Sequence, residues 1–400
     1  MAQALISRKG GYVTVTFNNA STFTRVTNPE PKTLDLKSYD LSATTVGDYA
    51  LFGGGWTGVS PQTTSTVDFY NANLTKSTTT LSTARNSVAA TTVGNYALFA
   101  GGSNDTSEQY VYASTTVDAF DKNLARSTPT ALSTAMSDLS ATTVGTYALF
   151  GCGYNGNATI YTTVNAYSSS LVRSTPTALN NARVSAAATT VGSFALFGGG
   201  SNNSTYYSTV DAYNTTLTHS TPTSLSVGRD SLAATTVGDY ALFGGGDHGN
   251  TYYSTVDAYN TSLTRSTPTS LSVERYDLAA TTVNGCALFG GGYPFSVVDA
   301  YNTDLTRSTL NPLSVPRGNL AATTVGDYAL FGGGISGVLP NIYYHSTVDA
   351  YYRQNQVQVY PGTKYKLGGM TSEATSDSMR MISTATPITG YIKIKNATIN

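Results

Sequence analysis

From residue 231 the chain runs through short stretches in which small and apolar residues mix with hydroxyl-bearing ones: SLAATTVG, then YALFGGG, then STVDAYN, each broken by Gly, Asp or Asn. No apolar residues recur at helical spacing, so the pattern predicts strands. The small-residue run suits a crowded centre, and Gly238-Asp239 makes the tight turn into the second strand. The triple Gly that follows ends this strand, because a residue without Cβ permits unusual backbone angles and close approach. After a loop, STVDAYN forms the third strand, NTS turns, and LTRSTPTSLS forms an outer fourth strand in which Pro268 is tolerated at an edge.

The same pattern returns throughout the chain. The Val that closes the first strand recurs as Val46, Val93, Val144, Val191, Val237, Val283 and Val325, seven copies spaced 42 to 51 residues apart. A strand-bearing period in the forties predicts propeller blades. The last copy lacks a fourth strand, since STVDAYYRQNQ never reaches an LTRSTPT segment. The N-terminus supplies one: TFTRVTNPEPKTLDLKSYDLSATTV (22–46) aligns with SLTRSTPTSLSVERYDLAATTV (262–283). Pairing both chain ends in one blade removes the open sheet edge that invites aggregation. The prediction is an all-β, seven-bladed β-propeller over residues 21–355, closed by the strand around Phe23 to Val26. Residues 1–20 and 356–400 carry GYVTVTF, QVQVY and GYIKIKNATI, which alternate like half-buried strands and predict a β appendage built from both ends; extra strands laid on blade seven are the alternative.

A Gly-Gly pair ending strand two, a Tyr near the end of strand three and an Arg opening the next blade (Arg85, Arg183, Arg229, Arg275, Arg317) resemble the kelch repeat over residues 22–352. The departure is the kelch Trp of strand four, replaced by Leu74, Leu124, Leu171, Leu217, Leu263 and Leu305. The resemblance implies the fold more firmly than any family function.

Composition narrows the function. Charged residues make up 11% of the chain and the net charge is −1, which leaves no electrostatic footprint for nucleic acid or an anionic membrane. No 18 apolar residues run together, so neither a membrane span nor membrane insertion is expected, and the N-terminal MAQALISRKGGYVTVTF has no apolar stretch suited to an export signal. Cys152 and Cys286 fall at different positions of the repeat, where Gly and Tyr stand elsewhere, and predict no disulfide framework.

Some kelch propellers are enzymes, among them copper oxidases resembling galactose oxidase, whose site needs two His, Tyr ligands and a Cys close to one Tyr. Here the only histidines are His219, His248 and His345; His219 belongs to the opposite face from the other two, and no His spacing supports a metal site. Neither metal, cofactor nor catalytic residue is expected. The acid that recurs on strand three (Asp68, Asp118, Asp211, Asp257, Asp299, Asp349, with Asn165 once) is expected to serve the blade, by accepting hydrogen bonds from an adjacent turn or from the next blade's Arg.

The strands are near copies of one another, while the loop after the triple Gly differs in every blade: WTGVSPQTT, SNDTSEQYVYA, YNGNATIYT, SNNSTYY, DHGNTYY, YPF and ISGVLPNIYYH. A constant scaffold with diverse loops on one face is the pattern of a recognition surface. Candidate ligand-binding residues are Trp56, Tyr154, Tyr206, Asp247, His248, Tyr252, Tyr293 and Tyr343, whose rings offer flat faces and whose polar neighbours offer adaptable hydrogen bonds. The expected function is non-enzymatic attachment to a cell-surface glycan or protein, as in phage tail fibres or surface adhesins, in the virion or at a cell surface. The terminal appendage would bind other tail proteins or a second copy of the chain. An intracellular kelch-type interaction scaffold is the alternative.

Overall fold

The computed structural model describes residues 4–9, 12–17, 23–26, 32–59, 62–104, 112–156, 159–202, 204–338, 340–353, 358–361 and 379–382. The chain divides into two compact units, Thr24–Tyr352 and a second made of Met1–Phe23 with Arg353–Asn400. In the second unit Ala4–Lys9 pairs antiparallel with Tyr12–Phe17, and Gln358–Pro361 pairs with Met379–Ile382. The expected strand at 390–399 lies outside the described residues.

Thr24–Tyr352 is a seven-bladed β-propeller of antiparallel blades. The first strands, Ser42–Val46, Ala89–Val93, Ser140–Val144, Ala187–Val191, Ala233–Val237, Ala279–Val283 and Ala321–Val325, stand side by side around the centre, the last against the first. Each pairs with a second strand across a two-residue turn, as Val237 pairs with Tyr240 around Gly238 at φ +52°. In blade seven the outer position is filled from the N-terminus, because Phe23–Arg25 and Lys32–Thr33 both pair with Thr347–Arg353. Hydrogen bonds from Val26 N to Ala350 O (2.8 Å) and from Leu34 N to Ser346 O (2.7 Å), with the Arg25–Asp349 ion pair at 3.1 Å, complete that closure.

The repeated words have physical reasons. In blade five the Phe243 and Tyr259 rings meet edge to face at 5.9 Å, and both are fully buried. Gly244 has no Cβ because the ring of Phe289, from the next blade, lies 2.9 Å from where one would be. Gly245 follows at φ +70° with Arg275 O 2.7 Å from its missing Cβ, so two adjacent positions exclude side chains for different reasons. The strand-three Tyr clasps the neighbouring blade: Tyr259 Oη donates to Thr223 O at 2.7 Å and Tyr301 Oη to Thr269 O at 2.7 Å.

The paired Thr of ATTV build a collar around the centre. Thr189 Oγ1 meets Thr236 Oγ1 at 2.9 Å, Thr235 Oγ1 meets Thr282 Oγ1 at 2.9 Å, and Thr236 and Thr282 in turn donate to the carbonyls of Thr190 and Thr236. Thr44 with Thr92, Thr91 with Thr143 and Thr142 with Thr190 repeat the contact between earlier blades. The second Thr donates to a carbonyl of the preceding blade and accepts from that blade's first Thr, which a hydroxyl can do at once.

Three expectations are corrected. The fourth strand is short, Arg265–Ser266 in blade five against five residues, Lys76–Thr80, in blade one, because the TPT segment leaves the sheet. The Leu residues at the kelch Trp position stand in the turn before strand four, not in the strand: Leu263 has φ +60° and its N–H donates to Asn260 O at 2.8 Å. The strand-three acids bind the Arg that opens their own blade, not the next one. Arg229 Nη2 donates to Asp257 Oδ2 at 2.9 Å and Arg317 Nη2 to Asp349 Oδ2 at 2.9 Å, while Ser226 N of the adjacent turn donates to Asp257 Oδ1 at 3.0 Å.

Candidate functional site

Antiparallel order places the turns between strands one and two and between strands three and four at one end of each blade. The loops after the Gly runs and the connections into the next blade share the other end. Single bridges stitch these together: Tyr39 with Trp56, Val184 with Ser201, Asp230 with Asp247, Tyr276 with Tyr293 and Gly318 with Ile335.

At the centre of this loop face lies a cavity of about 350 Å³, rimmed by the residue two before each first strand: Asp40, Ser87, Asp138, Ser185, Ser231, Asp277 and Asn319. All of them have positive φ, between 48° and 54°. Asp277 N donates to Ser231 O at 2.9 Å, Asn319 N to Asp277 O at 2.9 Å, Asp40 N to Asn319 O at 3.3 Å and Ser87 N to Asp40 O at 2.9 Å, so backbone bonds run from blade to blade around the rim. Asp, Asn and Ser tolerate this left-handed conformation where bulkier residues would not. Burial, with the charges of Asp138 and Asp277, pushes the Asp40 carboxyl well up. Burial raises Asp138 too, and burial with the charge of Asp230 brings Asp277 to about 7. Among the described residues no three His, Cys, Asp or Glu side chains are arranged to hold a metal ion.

Around the rim the structure sorts the candidate residues by what their rings touch. Tyr206 stacks on His248 of the next blade, centroids 4.3 Å apart and 21° between planes. Tyr252 stacks on Tyr276 at 4.8 Å, and Tyr276 meets Tyr293 at 5.8 Å. Tyr293 Oη donates to Gly337 O of blade seven at 2.6 Å. These four candidates and Tyr276 therefore tie neighbouring loops together, Tyr206, His248, Tyr252 and Tyr276 by stacked rings and Tyr293 through its hydroxyl. Asp247 and His248 form a small hairpin with Thr251–Tyr252, and burial beside Asp230 lifts Asp247 to about 7. Trp56 and Tyr154 are half-buried, each in a bridge to its own loop, with Thr63 and Ile160 respectively. Tyr343, on the blade-seven hairpin Ile335–Val338 with Asn341–Tyr344, is 60% exposed.

The sequence reading missed Tyr39, Tyr276 and Tyr344. Tyr39 and Tyr276 belong to the connections between blades, and Tyr344 stacks on Tyr39 at 5.5 Å across the seam between blades seven and one. Burial and the neighbouring acids Asp40 and Asp277 raise Tyr39 and Tyr276 to about 12. Aligning the connections, as the loops were aligned, would have shown these rings facing the candidates. The three histidines are far from forming one site: His219 is on strand four with Nε2 2.7 Å from Asp211 Oδ1, and His345 Nε2 lies 2.7 Å from Ser336 Oγ.

No protein-family model matches the sequence, and no curated protein matches it. Among solved structures the chain is similar to the one titled "Structure of YjhT", with 13% identity and a TM-score of 0.54 over 70% of this chain and 99% of that one. At that identity the likeness shows the propeller fold alone.

Proposed function

We propose that the chain is a non-enzymatic recognition and attachment protein, a divergent kelch-like propeller that binds a cell-surface glycan or protein through its loop face, as a tail-fibre or receptor-binding component does. The observation that carries this reading is the division between its two faces. The VGDY and NTS turns keep their length from blade to blade, while the loops after the Gly runs range from three to eleven residues and no two share a sequence, and the loops of blades four to seven are stitched together by Tyr206–His248, Tyr252–Tyr276 and Tyr293–Gly337. Such a surface is preorganised, so little loop entropy is lost on binding. The unit made of both chain ends is the proposed point of assembly with other tail proteins or a second copy. Weak sites of this kind give firm attachment when several copies act together. Binding of the labelled protein to whole cells and to an array of glycans tests the reading; retention on neither, for any cell type carrying the corresponding receptor class, would contradict it.

A further inference from the structure

Because the seven blades are near copies, a place where several positions depart from the repeat together needs a reason outside the blade scaffold. The seam between blades seven and one is such a place. Its connection reads Leu34-Asp35-Leu36-Lys37-Ser38, where the others read, for example, Leu225-Ser226-Val227-Gly228-Arg229 and Leu81-Ser82-Thr83-Ala84-Arg85. A cation, Lys37, thus stands where other blades carry Ala84, Ala135, Ala182, Gly228, Glu274 or Pro316, and the buried Arg of the repeat is replaced by Ser38.

At this seam a groove of about 710 Å³ opens on the loop face, within the size range of small-ligand sites. Leu36, Val59 and Tyr343, half of the exposed large hydrophobic residues among those described, line it at 43%, 69% and 60% exposure. Its walls are fixed. Tyr344 stacks on Tyr39, and Gly58, at φ +72°, presses so close that a Cβ would stand 2.4 Å from the Tyr344 ring. Thr57 Oγ1 donates to Val59 O at 2.9 Å and Thr57 N to Gln62 O at 2.7 Å, which holds the blade-one loop in place.

The polar groups of the groove are mostly spent within the protein. Thr64 Oγ1 bonds Thr66 Oγ1 at 3.0 Å, and the Asp35 carboxylate is taken by Lys76. Lys37 is exposed and makes no salt bridge among the described residues, and its charge, after burial and Arg317, helps hold the His345 imidazole below its usual range. An apolar groove with few free hydrogen-bonding groups suits an aliphatic or aromatic side chain better than a sugar, whose hydroxyls would lose water without gaining partners. The unpaired ammonium at the rim adds a preference for negative charge beside that side chain.

We infer that the seam groove is a docking site for an extended protein segment bearing an aromatic or large aliphatic side chain next to a carboxylate. This rests on the recognition reading above and names the partner class for one part of the loop face. It differs from the nearly uncharged stacking expected of the other loops, because Lys37 makes this contact salt-sensitive.

The test uses the full chain and a short probe peptide, acetyl-Gly-Phe-Glu-Gly-amide, with Phe-to-Ala and Glu-to-Lys versions, and a panel of neutral and acidic methyl glycosides. Binding is read by saturation-transfer NMR. The expected result is saturation of the Phe ring protons, lost with the Ala version, and dissociation constants raised at least tenfold by Val59→Asp and about threefold by Lys37→Glu, with unchanged thermal unfolding. Tyr343→Ala serves as a second variant should Val59→Asp unfold. Preference for a glycoside over the peptide, or peptide binding indifferent to all three substitutions, would overturn the inference. If Val59→Asp and Lys37→Glu bind cells as well as the parent does, this site is refuted while the recognition reading stands.

Discussion

Arg229 Nη2 lies 2.9 Å from Asp257 Oδ2 and 3.2 Å from Phe243 O, with both side chains wholly inside blade five. Arg85, Arg183, Arg275 and Arg317 repeat this pairing, and on the outer side of Asp257 and Asp299 a strand-four Arg approaches, Arg265 Nη1 at 2.7 Å from Asp257 Oδ1 and Arg307 Nη1 at 2.8 Å from Asp299 Oδ1. Blade three lacks both members of the pair: Met136 stands for the Arg and Asn165 for the Asp, and Asn165 keeps the turn bond from Ser133 N at 2.9 Å. The chain thus contains its own double replacement. A buried ion pair is costly to break by halves and can be removed whole at little loss.

It follows that Arg229→Met alone should destabilise the propeller by about 3 to 5 kcal/mol, since it leaves Asp257 buried without its main countercharge. Adding Asp257→Asn should recover more than half of that loss. Denaturant unfolding of the two variants checks this; a double variant less stable than the single would contradict the account.

The closing strand should matter to the whole ring. Removing residues 1–36 strips Phe23–Arg25 and Lys32–Thr33 from blade seven and takes away Thr33 O, the acceptor of Tyr70 Oη at 2.7 Å. The expected outcome is a broad, non-cooperative thermal transition with aggregation through the bared edge of Thr347–Arg353. An unchanged sharp transition would show that closure contributes little.

The Thr collar makes a smaller prediction. Thr92→Val keeps the shape but loses the contact with Thr44 Oγ1 at 2.8 Å and the bond to Thr45 O. Two hydrogen bonds at about 1 kcal/mol each imply a loss of about 2 kcal/mol. A variant as stable as the parent would mean that the hydroxyls are not needed there.

Stability should rise on mild acidification. Burial and Asp230 bring Asp277 to about 7, burial and Asp230 bring Asp247 to about 7, and burial, unrelieved by an Arg at Ser38, brings Asp68 to about 6, all from an ordinary value of 3.8. Each folded-state value is raised, so the folded protein binds more protons than the unfolded chain. The gain begins as pH falls through about 7 and grows until pH approaches 4. Asp299 acts oppositely: burial raises it, yet Arg275 and the bonds from Ser272 leave it below 3.8, so its stabilisation is lost only at lower pH. Thermal unfolding should therefore give a higher midpoint at pH 5 than at pH 7.5, with a smaller difference in Asp277→Asn. A lower midpoint at pH 5 would contradict this.

How far the sequence could be read depended on repetition. Seven aligned copies made the strands, their order and the closure by Phe23 to Val26 legible, because each weak local signal was read several times. What one blade gives another could not be read the same way. The Thr of ATTV looked merely small, whereas it bonds across blades; Leu263 looked like a strand residue, whereas a left-handed turn holds it; and Arg229 pairs inside its own blade. The aromatic candidates stand at the loop end of the blades. Their engagement with one another, Tyr206 on His248 and Tyr252 on Tyr276, depends on distances between neighbouring blades that sequence spacing does not contain.

The central claim, that the loop face does the recognising, can be tested within a single blade. Both native cysteines are buried, so a thiol introduced at an exposed position can be coupled selectively to a bulky polymer. Asn250 is exposed on the loop end of blade five and Ser262 on its turn end. Attachment to target cells should be lost when Asn250→Cys carries the polymer and retained when Ser262→Cys does. Loss with Ser262→Cys and retention with Asn250→Cys would place recognition on the other face and contradict the account.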